Sequence, residues 1–332
     1  MAVAAAVLLL TCGCTSPAAH ERHPTSPAGH TPVASASPSQ TASQRPAPRL
    51  QVRLLKGRLP QPLAREAVSR GTDGVHAVVA GGLLRGDISS RSTYQLDLRT
   101  GRTTRLPALT TAVHDTAGTL VSGHSVVMGG GNAVEQSVVQ ERSGTGWRAV
   151  GHLPAPRSDL TSVSGHGATY VVGGYDGQSP ALADVLRTRD ARSWTTVARL
   201  RMPVRYAAAV LVGTSLWVFG GEVAGRMVAA VQRVDLRTGR ARLAGRLPIA
   251  LGHSVAVRLG GSVLLAGGRT RSGAPTRRMW WFRPSTGRFA AAGRLPTPLA
   301  DSAVLASGDT AYLIGGERPS FSDRTLRLRW AR

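Results

Sequence analysis

Side chains able to grip anions or move protons recur at two kinds of place in this chain: just after a Leu-Pro pair and just after a Gly-Gly pair. The first set is Arg65 and Glu66, His114 and Asp115, Arg157 and Asp159, Arg205 and Tyr206, His253, and Asp301. The second is Asn132, Tyr175 and Asp176, Glu222, Arg269, and Glu317. Arginine presents a fork of donors to carboxylate or phosphate, while histidine and carboxylates exchange protons or accept from hydroxyls. Gathered in one concavity, this mixture suits an acidic or hydroxylated ligand. The ligand-binding candidates are all of these except Glu66, Asp115, Asp159, Asn132 and Asp176. The same side chains serve equally to hydrogen-bond neighbouring strands and loops. His114 and Asp115 make a poor acid/base pair, because adjacent residues on a strand point to opposite faces. No catalytic residue is assigned, and no residue pattern calls for a metal or another cofactor.

The spacing of the two markers reveals the elements that carry these residues. Apolar runs close on a glycine doublet six times: HAVVAGG (76–82), HSVVMGG (124–130), ATYVVGG (168–174), SLWVFGG (215–221), SVLLAGG (262–268) and TAYLIGG (310–316). Successive spacings are 48, 44, 47, 47 and 48 residues. Leu-Pro keeps the same period at 59–60, 106–107, 153–154, 247–248 and 295–296, with Met202-Pro203 in the remaining place. The hexapeptide DLRTGR, at 97–102 and again at 235–240, is one turn met in two units.

Each unit divides into four short strands. A small apolar strand follows Leu-Pro, as in AAAVLV (207–212), and a glycine turn leads to the run that ends in Gly-Gly. Continuous hydrophobicity in that run means burial on both faces. A variable loop precedes the third strand, such as STYQLDL (92–98) or VQRVDL (231–236), and a Thr-Gly turn opens the fourth. An aromatic often stands six residues before the next Leu-Pro, as Trp147 and Phe289 do, and Trp194 stands eight before Met202-Pro203. Six such units predict an all-β, six-bladed β-propeller. Over about residues 50–330 the sequence resembles the kelch-repeat family, carried by the double glycine and the spaced tryptophan. The pattern departs in unit four, where Ala241 replaces the late aromatic. In that family's fold the first strand of each blade is innermost. The resemblance therefore implies that both candidate sets rim one mouth of a central channel. The last unit lacks a fourth strand, and LQVRLLKG (50–57) is the unclaimed strand expected to supply it and close the ring. Deleting 50–57 is expected to open the propeller.

The first 14 residues, MAVAAAVLLLTCGC, form a short apolar run ending in small residues and cysteine, read as an export signal. LTCGCTS resembles a lipobox with Cys14 as acceptor and Cys12 as the poorer choice, although Thr11 stands where an aliphatic residue is usual. These are the only two cysteines, so the body has no disulfide and no Cys-ligated metal. Residues 15–49 are rich in Pro, Ser, Ala, Thr and His, including His20, His23 and His30, and read as a flexible tether. The expected organisation is thus a signal and lipobox over 1–14, a tether over 15–49 and a propeller over 50–332. The protein is expected to be exported and lipid-anchored to the outer face of a bacterial cell membrane.

Net charge is +23, carried almost entirely by arginine, with Lys56 the only lysine. High-GC codon usage accounts for part of this. The remainder attracts acidic glycans, wall polymers or anionic headgroups, with nucleic acid the least expected partner of an exported protein. Arg85-Gly86-Asp87 falls in an exposed loop, where an adhesion-type tripeptide competes with coincidence in an Arg- and Gly-rich chain. RTRDARSW (187–194) is one residue short of a sialidase aspartate box and lacks its glycine, so it reads as the hairpin of unit three. A galactose-oxidase-like copper centre needs a cysteine that this body does not have. The reading adopted is a non-catalytic envelope protein that shows one propeller face to a protein or an anionic glycan. The alternative is a carbohydrate-active propeller enzyme such as a kelch-type sialic-acid mutarotase.

Overall fold

The computed structural model describes residues 49–331, and of these Arg49 and Ala331 by backbone alone. The export segment, Cys14 and Cys12, and the tether as far as residue 48 lie outside the described residues. The described chain is strand and turn without helix, arranged as a six-bladed β-propeller. Each blade is a four-stranded antiparallel sheet. The inner strands are Ala67–Arg70, Ala117–Val121, Thr161–Gly165, Ala208–Val212, Val255–Leu259 and Ala303–Ser307. They touch their neighbours all the way round, the last against the first.

Closure works as the sequence suggests. Arg49–Leu54 pairs antiparallel with Thr325–Ala331, running from Arg49 opposite Ala331 to Leu54 opposite Leu326. The N-terminal strand is thus the outer strand of blade 6, and a pairing between chain ends removes the free edge inside that sheet.

The core is divided among the blade interfaces. Six apolar clusters form, and each joins strands of two consecutive blades. Alternation along the second strand explains this. In Ser215–Phe219, Leu216 and Val218 face blade 3, while Trp217 and Phe219 face blade 5. A strand sandwiched between sheets must be apolar at every position, which is the pattern read from the sequence. The outer-strand aromatics Trp147, Trp194 and Phe289 pack into the same interfaces.

The glycine doublets are the inter-blade bolts. The second glycine's amide donates to a carbonyl of the next blade: Gly82 to Val113, Gly130 to Arg157, Gly174 to Val204, Gly221 to Leu251, Gly268 to Leu299 and Gly316 to Leu63, all at 2.7–2.9 Å. At the first glycine of blade 4, Gly220, an added Cβ would stand 2.0 Å from the Leu251 oxygen. Only a residue without a side chain admits that approach.

Candidate functional site

The chain enters each inner strand through one residue in the left-handed backbone region: Arg65, Asp115, Asp159, Tyr206, His253 and Asp301, with φ between 49° and 60°. Each donates its amide to the carbonyl of its counterpart in the preceding blade. Asp115 bonds Arg65 at 3.0 Å, Asp159 bonds Asp115 at 2.9 Å, and Tyr206 bonds Asp159 at 2.9 Å. His253 bonds Tyr206 at 2.9 Å, Asp301 bonds His253 at 3.1 Å, and Arg65 bonds Asp301 at 3.0 Å. The result is a closed circle of six backbone hydrogen bonds at one mouth of the channel. A left-handed non-glycine residue costs about 1–2 kcal/mol, and each bond of the circle helps to offset that cost.

A second tier surrounds the circle. The residue before each ring position bridges the residue after the glycine doublet: Ala64 to Leu83, His114 to Gly131, Ser158 to Tyr175, Arg205 to Glu222, Gly252 to Arg269 and Ala300 to Glu317. The polar groups of this rim are therefore lopsided. Blades 3 to 6 supply Tyr175, Glu222, Arg269 and Glu317, whereas blades 1 and 2 supply Leu83 and Gly131.

Ring and rim side chains form one ionic network. Arg65 reaches Asp115 at 3.1 Å, Glu317 at 3.3 Å and, across the ring, the Tyr206 hydroxyl at 3.5 Å. Arg205 donates from Nε to Glu222 at 2.9 Å and pairs with Asp159 at 3.3 Å. Arg269 donates to Asp301 at 3.1 Å and to Glu317. His253 bonds Asp301 at 2.5 Å, lies 3.5 Å from Glu222, and stacks on Tyr206 with centroids 3.8 Å apart. Arg205 lies over the Tyr175 ring, 5.0 Å from its centroid.

The network splits the proton affinities of its acids. Hydrogen bonding to His253, opposed by burial and reinforced by Arg205, holds Glu222 at about 2. Burial, with the Asp115 charge beside it, pushes Asp159 up to about 7. Burial also raises Asp115. It opposes the proton on His253, but the Asp301 charge and hydrogen bonds to Asp301 and Glu222 outweigh it and lift that pKa to about 9.

Behind the ring the inner strands enclose a channel of about 660 Å³. Glu66 lies at the seam of blades 1 and 6, with Oε1 accepting from the Ala303 amide at 3.4 Å and Oε2 buried without a partner. Burial pushes its carboxyl up to about 8.

Most residues singled out from the sequence converge here: Arg65, His114, Arg205, Tyr206, His253, Asp301, Tyr175, Glu222, Arg269 and Glu317. Arg157 does not. It is 2% exposed, donates to the Gly173 carbonyl at 3.0 Å, and sits between blades 2 and 3 at the position held elsewhere by Leu63, Val113, Val204, Leu251 and Leu299. Asn132 lies one residue beyond the rim, where it bonds the Ala112 carbonyl at 3.2 Å. Asp176 accepts from the amides of its own turn, Gln178 and Ser179. His114 and Asp115 do not diverge as strand neighbours would; His114 Nε2 is 3.6 Å from Asp115, because the left-handed turn at Asp115 breaks the alternation.

The ring members passed over as candidates are Asp115 and Asp159. A register count finds them: in blades 2 to 6 the ring residue precedes the first glycine of its doublet by 14 positions. Blade 1 needs 16, since its inner turn, Gly71 to Gly74, is longer. Arg85-Gly86-Asp87 forms the exposed tip of a short hairpin between Leu83–Leu84 and Ile88–Ser89. Asp190 of RTRDARSW caps a hairpin turn, accepting from the amides of Arg192 and Ser193.

No family model matches the sequence, and no curated protein matches it. Among solved structures, that of YjhT aligns with a TM-score of 0.70 at 17% identity, over 81% of this chain and 95% of that one. That likeness is one of fold.

Proposed function

We propose that the protein is a kelch-type envelope binding module, held on the outer membrane face by lipidated Cys14 and a tether over 15–49. It presents the mouth of its propeller to a protein or an anionic glycan and performs no catalysis. The observation that supports this is the self-matched network of ring and rim. Arg65, Arg205 and Arg269 are already oriented by Asp115, Asp159, Glu222, Asp301 and Glu317, yet each side chain keeps about a fifth to a quarter of its surface exposed. Groups fixed in this way bind without an ordering cost. His253 holds its proton near neutrality and so does not serve as a base there.

A second reading is a carbohydrate-active enzyme such as a sialic-acid mutarotase. It draws on Asp159, whose pKa of about 7 suits proton transfer. A thermal-shift panel of acidic sugars, neutral sugars and wall-polymer fragments, paired with NMR detection of anomer exchange, separates the two. Binding that survives 0.5 M salt, disappears in Arg205→Gln and leaves anomer exchange at the uncatalysed rate supports the module. Accelerated exchange abolished by Asp159→Asn overturns it in favour of the enzyme.

A further inference from the structure

Like charges face each other across the outer strands of three consecutive blades. In blade 5, Arg278 stands opposite Arg294 and Arg283 opposite Arg288. In blade 4, Arg233 stands opposite Arg242, with Asp235 opposite Arg240 at the turn, and in blade 6 Arg53 of the closing strand stands opposite Arg327. Like charges directly opposite destabilise a sheet. Blades 2 and 3 are built otherwise: Arg148 pairs with Glu141 at 3.1 Å, and Arg199 pairs with Asp184 at 3.3 Å, across the same outer strands.

In blades 4 and 5 the segregation extends through the sequence. From Val223 to Ala300 there are 14 arginines and one carboxylate, Asp235, although the chain has 18 acidic residues. Codon usage that favours arginine does not strip acids from one stretch. Asp235 is engaged by its own turn, accepting from the Arg237 amide at 2.9 Å. Arg242, Arg278, Arg283, Arg288 and Arg294 are exposed, and among the described residues no carboxylate pairs with them.

We propose that the outer edges of blades 4 to 6 dock a flexible, linear phosphodiester polymer without bases, of the poly(glycerol phosphate) type. Alternate residues on a strand, such as Arg240 and Arg242, lie about 7 Å apart, which suits a chain with one phosphate per short polyol unit. Three consecutive blades of six turn their edges through roughly a third of a circle. A planar bilayer reaches one such edge at a time, whereas a flexible chain follows all three. Single-stranded nucleic acid would stack its bases on exposed aromatics. Among the described residues the large apolar side chains that are exposed are Leu54, Val75, Ile88, Val134 and Leu243, none of them aromatic. Trp281 is instead held against Trp330, and Phe289 against Phe282. This surface lies at the outer strands, away from the mouth, and the inference does not depend on what the mouth binds.

The test is fluorescence anisotropy of labelled poly(glycerol phosphate) with the full chain across a salt series. Arg242→Gln/Arg283→Gln/Arg288→Gln is compared with Arg99→Gln/Arg102→Gln/Arg105→Gln, an equal charge change on the exposed edge of blade 1. The first triple is expected to bind at least tenfold more weakly and to lower the slope of log K on log salt by about 2, at roughly 0.7 per lost contact. The control triple is expected to stay within twofold of wild type. Equal losses in both triples, or no wild-type binding at 150 mM salt, overturn the proposal. So does tighter binding of oligothymidylate, or of phosphatidylglycerol vesicles, that the first triple abolishes. Thermal unfolding of the first triple at or above the wild-type midpoint excludes misfolding as the cause. If it unfolds earlier, Arg278→Gln/Arg294→Gln repeats the comparison.

Discussion

His253 Nδ1 lies 2.5 Å from Asp301 Oδ1, joining residues that hold the same left-handed position in consecutive blades. The histidine pKa is lifted from 6.5 to about 9 in the fold. A raised histidine stabilises fully below its unfolded value, and that stability is lost as pH climbs through the folded one. The contribution is at most roughly 3 kcal/mol, held jointly with Asp301 and Glu222. The difference in unfolding free energy between wild type and His253→Gln is therefore expected to shrink between pH 6.5 and 9. Calorimetry across that window checks it, and a difference that stays constant refutes it.

Glu66 gives a second titration with a distinguishable variant. Its carboxyl is raised from 4.5 to about 8 by burial, so the stability of its protonated form is lost as pH rises over that interval. Glu66→Gln keeps an acceptor for the Ala303 amide and cannot ionise. It is expected to match wild type near pH 4.5 and to exceed it by a margin that widens up to about pH 8 and levels off above it. Denaturant titrations at the two pH values measure this directly, and parallel pH profiles would count against it.

Arg157 is an arginine in a leucine's place. Its Nε is buried without a partner, and its charge meets Asp184 at 3.6 Å. Removing one partner of an ion pair is costly when the other is left buried and unpaired, but Asp184 is 23% exposed and keeps Arg199 at 3.3 Å. Arg157→Leu is expected to unfold at or above the wild-type midpoint, while Arg157→Ala loses about 2–4 kcal/mol by leaving a cavity. A large loss in the leucine variant would mean that the guanidinium bond to Gly173 is essential to the blade 2–3 seam.

Gly220 and Gly213 share nearly the same backbone angle, φ 58° and 55°, but not the same surroundings. A methyl at Gly213 meets nothing within 4 Å, whereas one at Gly220 collides with the Leu251 carbonyl. Gly213→Ala is expected to cost about 1–2 kcal/mol, from backbone strain alone. Gly220→Ala is expected to cost at least about 4 kcal/mol, because the blade 4–5 seam must part. Urea unfolding of both variants separates strain from contact.

What the sequence by itself determined is the architecture. Gly-Gly, Leu-Pro and an apolar second strand are local signals, and a period near 47 repeats each of them until coincidence is excluded. The unclaimed strand before the first Leu-Pro even announced how blade 6 closes. The candidate site was legible only as neighbourhoods, such as His114 with Asp115 and Arg157 with Asp159. Which member of each pair enters the mouth depends on a left-handed residue held by a hydrogen bond to a residue some 44 to 50 positions away in sequence, and finally on Arg65 meeting Asp301 where blade 6 closes on blade 1. Composition showed an excess of arginine. Its division into paired arginines on blades 2 and 3 and opposed ones on blades 4 to 6 is a matter of cross-strand register, which exists only once the sheets have formed.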